Sequence, residues 1–249
     1  DLLRQAGIAS AILDSDRQTT LKTRIISNQQ QIARIDYEDV TPFSAEVPQR
    51  LMECLKSLVP AAGAVVISDY AKGVISRDTI SGIVDSKDQR TPLFVDPKVA
   101  NGTLYTGLSI YAITPNRHEA EGLVPGSADI ESLGRGLLDM YTCNYALVTR
   151  GNQGMSVFSS DGSHRHIPAA ARDVFDVSGA GDTVIAALAL GTVSGMPILE
   201  AAQFANAAAG VVVGKHGTAT ATLEEVLASG YNFRGGAICG TSLLPSSCF

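Results

Sequence analysis

The sequence predicts an α/β fold: a mainly parallel sheet with helices on both faces, plus a small antiparallel flap. Three observations carry this. Between residues 64 and 149, short apolar runs rich in β-branched and aromatic residues alternate with segments of helical period. Such strand–helix alternation predicts a parallel sheet covered on both sides. The last third of the chain reads as helix. The stretch 19–39, "TTLKTRIISNQQQIARIDYED", instead alternates with a period of two and carries charges.

In chain order, the opening "DLLRQAGIAS" lacks the basic region and long apolar core of a signal peptide. In the 19–39 stretch, "KTRII" and "QIARIDY" are strand-like. Ala33, Ile35 and Tyr37 fall on one face, Ile32, Arg34 and Asp36 on the other. Charges on one face suit an exposed antiparallel flap, and the pattern equally fits a solvated edge hairpin. Buried strands are expected at 64–69, 93–96, 110–114 and 145–149, with helices at 76–89, 117–123 and 130–141. "GMSVF" and "HRHIP" flank Asp161-Gly162, a hairpin signal. Helices follow at 181–194, 198–213 and 222–229, the last opened by a Thr222/Glu225 capping box. One domain is expected over 1–230, with a tail at 231–249 that has no period.

With 249 residues and 45% apolar content, a sizeable core is expected. The net charge of −6 without a basic block argues against a nucleic-acid partner. No run reaches the ~20 apolar residues of a membrane span. Cys54, Cys143, Cys239 and Cys248 form no CxxC pair, so free thiols in a reducing, cytoplasmic setting are expected.

Polar residues stand at four strand ends: Asp69, Asp96, Asn116 and Thr149. In open parallel sheets ligands bind beyond these ends, though each residue alone would also serve as a cap or turn. Gly179-Ala180-Gly181-Asp182 precedes the apolar run "TVIAALALGTV". Glycines expose consecutive N–H groups, and a helix start adds unpaired donors and a positive dipole end, which together stabilise an anion. Asp182 would repel a phosphate. It serves either as a helix cap or as a general base that takes a proton from an attacking hydroxyl. Thr149, Gly151 and Gly154 in "TRGNQG" form a second glycine-rich turn suited to a nucleotide phosphate. In "NRHE", Asn116 and Glu119 lie three residues apart at a helix start, and Glu119 is placed to hold Mg²⁺ through water. "GVVVGKH" is one residue short of a Walker A motif.

"DVSGAGDT", "NRHE" and "TRGNQG" together resemble the signatures of the ribokinase (pfkB-type) carbohydrate kinase family: D-T-x-G-A-G-D, N-x-x-E and T-x-G-x-x-G. Val177 stands where the family usually has Thr. The resemblance covers about Asp1 to Leu227. Within the family, "TTLKTRIISNQQQIARIDYED", "SDYAKGVI", "VDPK", "ITPNRHEAE" and "KHGTATAT" look most like the branch that phosphorylates the anomeric hydroxyl of D-glycero-D-manno-heptose 7-phosphate for lipopolysaccharide synthesis. The resemblance implies ATP and Mg²⁺ as cofactors, with room for a monovalent cation, and a homodimer joined through the flap. Carried over, Asp182 is the base and the amides of Gly179, Ala180 and Gly181 form the anion hole. Asn116 and Glu119 serve the Mg-phosphate side, with Glu119 as the metal residue. Thr149, Gly151 and Gly154 meet the nucleotide, and Asn206 belongs to the helix that walls the adenine pocket. Lys22, Arg24, Arg34, Asp36, Asp69, Lys72 and Lys98 are the candidates for sugar-phosphate contacts.

The family's opening strand and Gly-Gly signature have no counterpart in the sequence given, so the fold is expected without that amino-terminal part. The H-x-G-H signature of a nucleotidyltransferase is also absent, so the kinase step alone is expected. The alternatives are another pfkB-type sugar or nucleoside kinase, or a non-catalytic nucleotide-binding relative.

Overall fold

Two sheets form from the two strand patterns in the sequence. The computed structural model describes residues 2–27, 30–127, 129–171 and 174–231. The described chain makes two compact units. One takes the chain up to Leu58 together with Lys72–Ser86. The other takes Val59–Ala71 and the described residues from 87 to 231.

The first unit holds α1 (Leu2–Gln5), β1 (Leu21–Ser27), β2 (Gln30–Tyr37), α2 (Glu46–Leu58) and α3 (Arg77–Ser86). β1 and β2 pair antiparallel, with Thr23 opposite Ile35 and Arg24 opposite Arg34. Directly opposed residues share a face, so Leu21, Thr23, Ile25, Ala33, Ile35 and Tyr37 form one side. Lys22, Arg24, Arg34 and Asp36 form the other, which is the alternation read from the sequence. Helix α2 is not foreseen, although its apolar residues recur at helical spacing and Pro48 falls in its first turn, where proline is tolerated. It packs on α3 at Gly82, where a Cβ would stand 2.3 Å from Met52 Cε. Helix α3 ends at Ser86, short of the expected 89, because Asp88 Oδ1 accepts the Arg90 N–H at 2.8 Å and closes a turn instead.

The second unit is a six-stranded sheet in sequential order. It comprises β3 (Val65–Ser68), β4 (Leu93–Asp96), β5 (Ala112–Ile113), β6 (Tyr145–Thr149), β7 (Met155–Ser159) and β8 (His164–Ile167). β3 to β6 run parallel, and β7 and β8 close the sheet antiparallel. Helices α4 (Arg117–Leu123) and α5 (Ile130–Tyr141) contact β6, and α5 also contacts β7. Helix α6 (Ala180–Val193) contacts β3 and β4, and α7 (Ile198–Val213) contacts β7 and β8. Phe94, Ala112, Leu147 and Met155 join Val184, Ile185, Leu188 and Ala201 in one core. Phe158, on the opposite side of β7 from Met155, lies against Gly134 of α5. The central strands are thus buried on both faces, which is why they read as continuous apolar runs. Helix α8 (Leu223–Ala228) opens with the expected capping box: Thr222 Oγ1 accepts the Glu225 N–H, and Glu225 accepts that of Thr222. Of the tail, only Tyr231 is described, and its hydroxyl donates to the Glu200 carbonyl. Among the described residues no helix is long and apolar enough to cross a membrane.

Candidate active site

The parallel register brings the carboxyl ends of β3 to β6 to one edge: Ser68 lies opposite Asp96, and Asn116 bridges to Thr149. A cleft of about 160 Å³ opens there, lined by Tyr70, Asp96, Lys98, Thr114, Asn116, Glu119, Thr149, Gly181 and Asp182. A larger cleft of about 520 Å³ lies at the opposite edge, between Lys87 and Tyr111. Its cations are already engaged, Lys87 with the Asp88 and Thr91 carbonyls and Arg90 with Asp88. The smaller cleft gathers the predicted chemistry.

Gly179 precedes α6 with φ 80°, a backbone that favours glycine. The Ala180 N–H donates to the Val177 carbonyl at 3.2 Å, so it is already used. Gly181 and Asp182 follow in the first turn, where N–H groups have no intrahelical partner. The Asp182 side chain makes no cap. Its Oδ1 accepts from Tyr70 Oη at 2.8 Å and Ser68 Oγ at 3.2 Å, and its Oδ2 accepts from Tyr70 Oη at 2.9 Å. Burial, then the hydrogen bond to Asp182, pushes the Tyr70 phenol up to about 12, so it remains a donor at neutral pH.

The N-x-x-E motif is a reciprocal cap on α4. Asn116 Oδ1 accepts the Glu119 N–H at 2.9 Å, and Glu119 Oε2 accepts that of Asn116 at 3.0 Å. This fixes Glu119 with its other oxygen on Lys98. Burial works against the charged Lys98, but the Glu119 partner outweighs it and the ammonium pKa lies above its usual value. Burial, then the charge of Glu119, pushes the Asp96 carboxyl up to about 7.

Asp69 is 2% exposed. Its carboxylate accepts from Tyr105 Oη at 2.5 Å, Asn101 Nδ2 at 2.9 Å and the Ala71 N–H at 2.7 Å. In this structure the carboxylate is held in an internal network, as a buried carboxylate must be hydrogen-bonded. Gly154 is fixed by packing. It is buried, has φ 82°, and a Cβ there would meet Ile167 O at 2.1 Å, so close packing on β8 rather than a nucleotide demands glycine. Gly151, with φ 57°, has open space at its Cβ position, and Thr149 lines the cleft. Asn206 lies outside the cleft lining and donates to the Pro168 carbonyl at 2.9 Å.

The other predicted residues lie in the first unit. Lys22 pairs with Asp36 at 3.3 Å and Glu38 at 3.1 Å, Arg34 with Asp36 at 3.1 Å, and Lys72 with Glu38. Arg24 faces Arg34 across the strands, a like-charge juxtaposition that is unfavourable by itself.

The reading from sequence missed Ser68, Tyr70, Asn101 and Tyr105. Tyr70 stands one residue past a strand end, a signal that was available. Asn101 and Tyr105 sit on a 3₁₀ helix, Val99–Tyr105, with no period to reveal it.

The donor set fits Mg²⁺. Among the described residues no cluster of three or more acidic, His or Cys side chains is poised for a metal. Mg²⁺ in kinase sites takes one or two carboxylates and completes its shell with water and phosphate. Burial, and then the charge of Glu119, raises the Asp96 pKa, and a divalent cation relieves the repulsive part.

A parallel sheet with a glycine-led helix start at its carboxyl edge, accompanied by an antiparallel flap, defines a ribokinase-like fold. The structure is similar to ribokinase from Thermotoga maritima, with TM-score 0.73 and 19% identity, over 92% of this chain and 75% of that one. It is also similar to phosphofructokinase-2 from Escherichia coli in complex with potassium, with TM-score 0.71 and 18% identity, over 91% and 75%. The sequence matches the pfkB family carbohydrate kinase pattern over residues 1–225, and the chain belongs to that family. It is 42% identical to the bifunctional protein HldE of Pelobacter propionicus over 229 residues, 89% of this chain and 46% of that protein. It is 42% identical to HldE of Paramagnetospirillum magneticum over 221 residues, 87% and 45%. The chain spans about half the length of the curated relatives it matches.

Proposed function

We propose that this chain transfers the γ-phosphoryl group of ATP to the anomeric hydroxyl of D-glycero-D-manno-heptose 7-phosphate, a step toward ADP-heptose and lipopolysaccharide core. The observation that carries it is Asp182 in the first turn of a glycine-led helix, in one cleft with Asp96 and Glu119. Bound Mg-ATP supplies the phosphoryl group and its counter-charge, with Asp96, Asn116 and Glu119 on the metal side. The sugar hydroxyl oxygen bonds to phosphorus, the bond to ADP breaks, and the hydroxyl proton goes to the Asp182 carboxylate. The amides of Gly179, Ala180 and Gly181 are the proposed anion hole. Ala180's is taken in this structure, so Gly181's is the freer donor. Thr149 and Gly151 serve the nucleotide, and Asn206 the adenine side.

The heptose is favoured by the sequence likeness to that branch and by the identity to HldE proteins. The facing Arg24 and Arg34 add a physical reason, since a phosphate between two guanidinium groups turns a repulsive pair into an anion site. Lys22 and Lys72, in the same unit, complete the proposed cationic set there. We also propose a homodimer joined through the apolar face of the flap.

The test is ADP release with Mg-ATP, offering heptose 7-phosphate, fructose 6-phosphate and ribose separately, for wild type and Asp182→Asn. Loss of a general base should slow turnover by about 10²–10⁴-fold. Turnover on another sugar keeps the mechanism and overturns the substrate. Nucleotide binding without turnover on any sugar favours a non-catalytic relative.

A further inference from the structure

Asp182 is exposed at a helix start, where a carboxylate has several rotamers of similar energy. A general base needs one of them. In this structure its orientation is imposed from the end of β3, by Ser68 and Tyr70, which lie two residues apart and bracket Asp69. An ionised carboxylate offers about four lone-pair sites. Oδ1 accepts from both Tyr70 and Ser68, and Oδ2 from Tyr70 alone. The phenol has one proton, shared between the two oxygens, and Ser68 adds a second donor to Oδ1 alone, so Oδ2 is the less engaged oxygen.

Tyr70 is itself held. The next residue, Ala71, has φ 53°, a left-handed backbone that side chains other than glycine seldom adopt. The Asp69 carboxylate secures it by accepting the Ala71 N–H at 2.7 Å. That carboxylate is fixed by Tyr105 and Asn101. A buried network therefore sets the backbone that aims the phenol.

We propose that Ser68 and Tyr70 are positioning residues for Asp182, leaving Oδ2 as the atom that takes the proton, and that the Asp69–Asn101–Tyr105 network exists to hold Tyr70 in that place. This rests on the reading of Asp182 as the base.

Tyr70→Phe keeps the ring and removes the donor. Loss of a hydrogen bond to a charged group should lower kcat by about 10–100-fold, with the KM for ATP unchanged. The titratable groups around Asp182 are Tyr70 and Asp96, with Lys98 and Glu119 lining the same cleft. Ser68→Ala removes the second donor and should give a smaller change of the same sign. An unchanged kcat in both variants, with Asp182→Asn inactive, overturns the proposal and leaves the base reading standing. Near-wild-type turnover in Asp182→Asn overturns both.

A readout that needs no turnover uses ¹³C-labelled tyrosine. The resonance lost in Tyr70→Phe identifies the phenol, which should titrate near 12 in the wild type and distinctly lower in Asp182→Asn. The same midpoint in both proteins overturns the contact on which the proposal stands.

Discussion

Gly154 and Gly151 sit three residues apart in one turn, both with positive φ, and differ in what surrounds them. At Gly154 a Cβ would overlap the Ile167 carbonyl at 2.1 Å, whereas at Gly151 no atom comes within 4 Å. Gly154→Ala combines a backbone conformation nearly reserved for glycine with a backbone clash, and should destabilise by about 3 kcal/mol or more. Gly151→Ala carries only the left-handed penalty of about 1–2 kcal/mol. Urea unfolding of the two variants checks the order, and equal losses would contradict it. Asp96 gives a second test. Its carboxyl is raised from 3.8 to about 7 by burial and then by Glu119. The folded state therefore holds a proton that the unfolded chain has released, so this group's contribution falls as pH rises from about 4 to about 7 and is level above that. Thermal unfolding without Mg²⁺ should show a shallower decline over that window in Asp96→Asn than in wild type. Parallel curves would remove Asp96 as the source.

Among the elements, the flap is the one whose pattern the described contacts leave unfinished. Leu21, Ile25, Ile35 and Tyr37 share its apolar face, and all are exposed. A two-stranded sheet is marginal by itself in water, and burial against an identical face adds the missing apolar area. The wild type should scatter light as a dimer, and Ile35→Lys as a monomer with the second unit's sheet intact by circular dichroism. A monomeric wild type would sink the proposed assembly. The sheet of the second unit was legible because its central strands β4 to β6 are buried on both sides, which forces uninterrupted apolar runs. Helix α2 was not, because none of its residues is fully buried and its main packing partner is the short helix α3.

Across the whole molecule, the Asp182→Asn comparison decides the function, because it asks whether groups separated by more than a hundred residues act together. The sequence by itself determined the strand–helix alternation, the flap's two faces, the Thr222/Glu225 capping box and the glycine-led start of α6. All of these are short-range patterns, set by backbone period and by side chains within four residues. It also carried the motifs that place the chain in its family. Only the tertiary structure decided that the N-x-x-E carboxylate meets Lys98, that Asp69 is internal, and that Tyr70 and Ser68 grip Asp182. Those contacts join Asp182 to residues 112 and 114 positions away. They depend on the register of parallel strands and on burial, and neither leaves a mark on the local order of residues.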